Sequence, residues 1–135
     1  MRGHILIVDD NPIDLKLVGE LLEINGFKTE RVSDAEQAQR TLMRLMPDLV
    51  VVDIALPGID GLTLTRLLKA DPRLAHVPVV ALTAFAMKGD DQRAELAGCD
   101  GYLTKPVNTR LFADQIAEIL DAAEARRRGT SASVA

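Results

Sequence analysis

Apolar positions along this chain follow two rhythms. Ile5-Leu-Ile-Val8, Leu49-Val-Val-Val52 and Val79-Val-Ala-Leu82 are continuous runs rather than alternating ones. Short unbroken runs bounded by turn residues read as strands buried on both faces, the pattern of a parallel sheet covered by helices. Between them, apolar residues recur at helical spacing, as at Ala35, Ala38, Leu42 and Leu45, or at Phe112, Ile116 and Ile119. That spacing gives each helix one apolar stripe to lay on a sheet.

Punctuation residues fix the boundaries. Asn11-Pro12 predicts an N-cap followed by proline in the first helical turn, and Gly26 predicts the stop of that helix. Phe27 to Val32 reads as a short, more polar strand at a sheet edge. Ser33-Asp-Ala-Glu36 predicts a capping box, and Pro47 ends the helix it opens. Leu64, Leu67 and Leu68 mark a helix stopping near Asp71-Pro72, before the strand Pro78–Thr83. Ala84 to Gly98 has poor apolar periodicity and Gly89 inside it, so its helix is the least defined. Gly101-Tyr-Leu-Thr104 forms a fifth strand, and Asn108 caps a last helix closed by Arg126-Arg-Arg128. Strand and helix alternate five times, which predicts an α/β fold with a doubly wound parallel sheet and helices on both faces. The domain is expected to span 1–124, with 125–135 a small, polar, disordered tail.

Composition narrows the function. A chain of 135 residues with 47% hydrophobic and 27% charged residues suits one soluble domain. A net charge of −4, three Phe and one Tyr offer neither the basic footprint nor the stacking platform of a nucleic-acid binder. Cys99 has no cysteine to pair with, as in a reducing compartment, and no apolar run is long enough to span a membrane. No secretory leader is apparent either, so a cytoplasmic location is expected. His4 and His76 lack any Cys or His at ligand spacing, which argues against a zinc site.

The chemistry lies at strand ends. Every strand of such a sheet ends on the same edge, where open α/β folds place their ligands. Asp9, Asp10, Asp53, Thr83 and Lys105 all fall at those ends and should converge. Asp9 and Asp10 could each cap the first helix, but a cap needs only one of them. Three carboxylates held together repel, and Mg²⁺ relieves this because it binds through carboxylates plus phosphate oxygens. With a lysine charge and a threonine hydroxyl beside them, the set reads as a phosphoryl site.

Four motifs carry a resemblance. Ile-Val-Asp-Asp-Asn-Pro (7–12), Val-Asp-Ile-Ala-Leu-Pro-Gly-Ile-Asp-Gly (52–61), Leu-Thr-Ala (82–84) and Leu-Thr-Lys-Pro (103–106) stand in order at strand ends. Together they resemble the response-regulator receiver domain of two-component signalling, over residues 4 to 122. The stretch from Thr83 to Asp90, with no output domain, is similar to single-domain receivers of the DivK and CheY kind. The resemblance implies the strand order 2-1-3-4-5 and a Mg²⁺-dependent phosphoryl acceptor at Asp53, charged from a phosphohistidine of a sensor kinase or phosphotransfer protein. It implies that Asp10 ligates the metal directly, Asp9 largely through water, and the Ala55 carbonyl completes the set with Asp53. Thr83 and Lys105 would hold the phosphoryl group, Thr83 and Tyr102 would form the switch, and the Lys105–Pro106 bond would be cis. The output would be altered binding to a downstream protein, without nucleic acid or membrane insertion. The DivK likeness adds a role in cell-cycle or differentiation control.

Two positions depart from the family pattern. Ala55 and Phe85 stand where polar side chains are frequent, which implies slow self-hydrolysis. Other readings are a receiver excised from a hybrid kinase or larger regulator, and a Mg²⁺-dependent phosphohydrolase with Asp53 as nucleophile. Such enzymes usually carry a second Asp two residues on, and Ala55 cannot serve. On the first helix, seven apolar residues exceed one core stripe, and Leu15 and Leu22 are expected to face outward as a docking patch.

Overall fold

A computed structural model of the chain describes residues 2–84 and 88–134, with residues 128–134 described by backbone alone. Five strands and five helices alternate: β1 (His4–Val8), α1 (Pro12–Ile24), β2 (Lys28–Val32), α2 (Ala35–Leu42), β3 (Leu49–Asp53), α3 (Gly61–Ala70), β4 (Val79–Thr83), α4 (Asp90–Ala97), β5 (Gly101–Thr104) and α5 (Phe112–Val134). The strands pair in parallel in the order β2-β1-β3-β4-β5, as expected.

The continuous apolar runs are explained by two separate cores. Ile5, Ile7, Leu49, Val51, Val80 and Leu82 pack with Val18, Leu22, Phe112 and Ile116, so these rows face α1 and α5. Leu6, Val8, Val50, Val52 and Val79 pack instead with Ala38, Leu42, Leu64 and Leu68 of α2 and α3. Ala81 extends that second face toward Leu62, Ala94 and Ala97 of α3 and α4. Every residue of β3 and β4 is buried because successive side chains point to opposite, equally covered faces. The two edges differ: β2 is polar, and β5 is only four residues long.

The helix starts follow local chemistry. The Asn11 side chain accepts from the N–H of Ile13 and Asp14, and Pro12 occupies the first turn, where its missing N–H costs nothing. Gly26, just beyond the end of α1, has a φ of 93°, which disfavours a side chain. The cap of α2 is Asp34 rather than Ser33, one residue later than the sequence suggests. Asp34 accepts from the Gln37 N–H at 2.8 Å, and the Gln37 side chain turns back to the Ser33 N–H at 3.1 Å. Among the described residues of the helix expected over 84–98, Asp90–Ala97 is helical, and 85–87 lie outside the described residues. Helix α5 begins at Phe112, after a turn whose N–H groups at Arg110 and Leu111 donate to the Asn108 side chain. Its backbone continues past residue 124 to Val134, through the stretch expected to be disordered. Ala125 and the three arginines after it favour helix, and Arg126 donates to Asp100 at 3.4 Å.

Candidate functional site

Strand alternation brings the charged residues together. Asp9 continues the row of Ile5 and Ile7, Asp53 that of Leu49 and Val51, and Lys105 that of Leu103. All three rows lie on the face packed by α1 and α5. Ile7 pairs with Val51 across β1 and β3, so two residues further on Asp9 comes opposite Asp53.

The Lys105 ammonium sits at the centre. Its Nζ donates to Asp9 Oδ2 at 2.9 Å, to Asp53 Oδ2 at 2.9 Å and to Asp14 Oδ2 at 3.1 Å. An ammonium has three protons, and each has an acceptor here. Asp9 is 1% exposed and Asp53 6%, while Asp10 is exposed at the mouth. Asp9 Oδ1 also accepts from the Asn11 N–H, and Asp53 Oδ1 from the Ala55 N–H, each at 2.9 Å. Burial pushes the Asp9 carboxyl above its ordinary value, against the pull of Lys105 and the Asn11 N–H. Burial alone would lower the Lys105 pKa, but its bonds to Asp9, Asp53 and Asp14 outweigh that and hold it above the usual range.

The loop after β3 is held close. The Ile54 N–H donates to Leu82 O and the Gly61 N–H to Ile54 O, both at 2.9 Å. A β-carbon on Gly61 would lie 2.2 Å from the Asp53 carbonyl oxygen, so only glycine lets α3 start this near the acidic residues. Asp60 then caps α3 by accepting from the Thr63 N–H at 2.8 Å.

The donor set fits a hard divalent cation. Asp9, Asp10 and Asp53 each offer a carboxylate oxygen, and those atoms all lie within 4.8 Å of one another. With Asp14, four carboxylates face one ammonium, a formal surplus of three negative charges. Oxygen ligands on a charged, partly open site are what Mg²⁺ takes. Ala55, whose carbonyl is expected to join this set, is exposed beside Asp53.

The remaining expected residues are placed differently. Thr83 ends β4, is 5% exposed, and its carbonyl accepts from the Lys105 N–H at 2.8 Å. Tyr102 is half-buried on the other face of the sheet, against Leu62, Ala81, Ala94 and Ala97. Burial there, with Asp90 and Asp91 nearby, pushes its phenol pKa up. Phe85 lies outside the described residues, and the Lys105–Pro106 peptide is cis. Asp14 was not anticipated; its only sequence signal is an acid in the first turn of the helix after Asp9-Asp10. The outward docking patch needs correction as well. Leu22 is fully buried and Leu15 packs on the core, whereas Ile13 and Ile24 are 77% and 81% exposed. A cavity lined by Pro47, His76, Leu120 and Arg127 shares no residue with the acidic site. Among the described residues, no helix is long and apolar enough to cross a membrane.

Comparisons with known proteins agree with this arrangement. A profile of the response regulator receiver domain matches residues 5–117. The polar-differentiation response regulator DivK of Brucella anthropi is 40% identical over 120 residues, covering 89% of this chain and 98% of the relative. The solved signal receiver domain of a signal transduction histidine kinase from Syntrophus aciditrophicus shares 35% identity, with a TM-score of 0.82 over 89% of this chain and 91% of that one. A sensor histidine kinase receiver domain from Pseudomonas aeruginosa PAO1, solved with a magnesium ion coordinated in its active-site cleft, shares 32% identity. Its TM-score is 0.80 over 88% of this chain and 98% of that one.

Proposed function

This chain belongs to the response regulator receiver family, and from that premise we propose that it is a phosphorylation switch whose acceptor is Asp53. One observation carries the reading. Asp53 ends the central strand with one carboxylate oxygen on Lys105 and the carboxylates of Asp9 and Asp10 beside it.

Phosphoryl transfer asks for alignment and charge neutralisation more than for covalent chemistry by the protein. Mg²⁺, when bound, supplies two positive charges that offset the phosphoryl oxygens. Asp9, Asp10 and Asp53 would hold it, with the Ala55 carbonyl. The Ala55 N–H fixes one oxygen of Asp53 and Lys105 the other, so the carboxylate is oriented before a donor arrives. Lys105 then pairs with the transferred group, and the Thr83 hydroxyl donates to it from the end of β4. As Thr83 moves to make that bond, Tyr102 on the opposite face swings inward and alters the surface near α4.

The donor is a phosphohistidine of a sensor kinase or a phosphotransfer protein. Ile13, exposed in the first turn of α1 and next to Asp14, gives such a partner an apolar contact beside the site. The readout is altered binding to a downstream protein in the cytoplasm. The DivK relative supports a role in polar differentiation or cell-cycle control.

The test is a phosphotransfer profile against the histidine kinases of the source organism, with and without Mg²⁺. One kinase should label the wild type quickly and leave Asp53→Asn unlabelled. Ile13→Ala should slow transfer from that kinase while labelling by acetyl phosphate stays intact. Labelling of Asp53→Asn at the wild-type rate, or continuous turnover of a small phosphate ester, would remove the switch reading.

A further inference from the structure

Lys105 is satisfied three times over, and one of its partners lies outside the acidic trio. Asp14 projects from the first turn of α1 and reaches Nζ at 3.1 Å. Its side chain is 31% exposed, against 1% for Asp9 and 9% for Asp53. A phosphoryl group on Asp53 adds oxygens that need donors, while all three ammonium protons of Lys105 are already committed. Asp9 is fixed by burial and by the Asn11 N–H, so it cannot readily let go. Asp14 is the partner with room to turn to water.

We propose that Asp14 is a positioning residue that competes with the phosphoryl group for Lys105, holding the unphosphorylated state and slowing phosphorylation of Asp53. This rests on the reading of Asp53 as acceptor. In the reaction an Asp53 carboxylate oxygen forms a bond to phosphorus while the donor's own bond to phosphorus breaks. The leaving group, acetate from acetyl phosphate or ammonia from phosphoramidate, departs with the electron pair. Lys105 must present a proton to the transferred oxygens, and that proton comes from its bond to Asp14. Asn at position 14 keeps the shape but, being neutral, holds the ammonium less tightly. An ion pair this exposed is a modest constraint, so the expected gain is about fivefold, equivalent to about 1 kcal/mol.

The experiment follows intact mass of the whole chain in Mg²⁺ with each donor, for wild type, Asp14→Asn, Asp14→Ala and Asp14→Glu. Beryllofluoride affinity serves as a second readout of the phosphorylated form, and far-UV circular dichroism checks folding. Asp14→Asn and Asp14→Ala should label about fivefold faster with both donors and bind beryllofluoride more tightly by a similar factor. Asp14→Glu should return to the wild-type rate. Unchanged or slower labelling of the folded neutral variants would overturn the proposal. So would a gain confined to acetyl phosphate, the more highly charged donor, because repulsion of an incoming dianion needs no contact with Lys105. Failure of the wild type to label at all would strike the acceptor reading instead.

Discussion

Replacing Lys105 with Met should unsettle the metal-free protein more than any single change on its surface. The substitution keeps the length of the side chain and removes the charge that Asp9 and Asp53 share. The Lys105 side chain is 10% exposed, and its two closest partners are 1% and 9% exposed, so solvent replaces little of what is lost. Removing one partner of a buried ion pair costs about 3 to 5 kcal/mol. Access of water through exposed Asp10 puts the expected loss near the low end, about 3 kcal/mol at neutral pH. For a chain this long that is a fall of roughly 10 °C in Tm.

The pH dependence has a definite sign. The wild-type Lys105 pKa is raised, so its contribution is fully present below the unfolded value and is lost only as pH climbs through the folded one. At neutral pH the wild type has the whole of it. In Lys105→Met the Asp9 carboxyl, already raised by burial, loses the cation that pulls its pKa down, so it rises further and the folded state takes up a proton that the unfolded chain does not. The deficit must therefore shrink as pH falls from 7.5 towards 5. Urea denaturation followed by far-UV circular dichroism in EDTA measures it, since the chain has no Trp. A loss below about 1 kcal/mol, the scale of a surface pair, would refute the reasoning. A deficit independent of pH would refute it as well.

Further outcomes follow from the same geometry. Millimolar Mg²⁺ at constant ionic strength should raise the wild-type Tm, by as much as about 2.7 kcal/mol of stability at a hundredfold excess over Kd. Asp53→Asn should start from a higher metal-free midpoint, and a wild-type midpoint that ignores Mg²⁺ contradicts the metal site. Asp9 has a raised pKa, so its charge subtracts stability as pH rises from the ordinary carboxylate value. Asp9→Asn should flatten that acid-side slope, and an unchanged slope assigns it to another group. Gly61→Ala should cost on the order of 2 kcal/mol, because its β-carbon would meet the Asp53 carbonyl; a neutral effect in thermal melts would show that the loop gives way. The phosphoryl group should outlast seconds in the wild type with Mg²⁺ and decay faster in Ala55→Asn combined with Phe85→Glu, as followed by intact mass after donor removal.

The sequence carried the sheet and most of the site because both depend on short-range pattern. Asp9 and Asp53 each close an apolar strand run, and strand alternation then decides which face they share. Lys105 follows β5 by the same rule. Asp14 escaped because a first-turn acid on a helix has an ordinary explanation in the helix dipole, and only the reach of the Lys105 side chain from the end of β5 to the first turn of α1 gives it another. The outward face of α1 was misassigned for a related reason. With Ile13, Leu15, Leu17, Val18, Leu21, Leu22 and Ile24 all apolar, the helical period fits several orientations, and packing chose the one that buries Val18 and Leu22. The Ser33 cap went to Asp34 because either side chain can accept at a helix start.

The unequal edges of the sheet bear on how this protein meets copies of itself. An exposed strand is a template on which another chain can add a strand. On one side β2 presents Lys28, Thr29, Glu30 and Arg31, and the Arg31 guanidinium lies over Gly19 of α1 in an ion pair with Glu23. Charged side chains along an edge discourage a stacked neighbour. On the other side β5 offers only four residues, too short a rail for a stable addition. Sheet extension between molecules is thus discouraged at both ends, and self-association in concentrated solution is left to the helical faces, where Leu67 and Leu96 stand exposed.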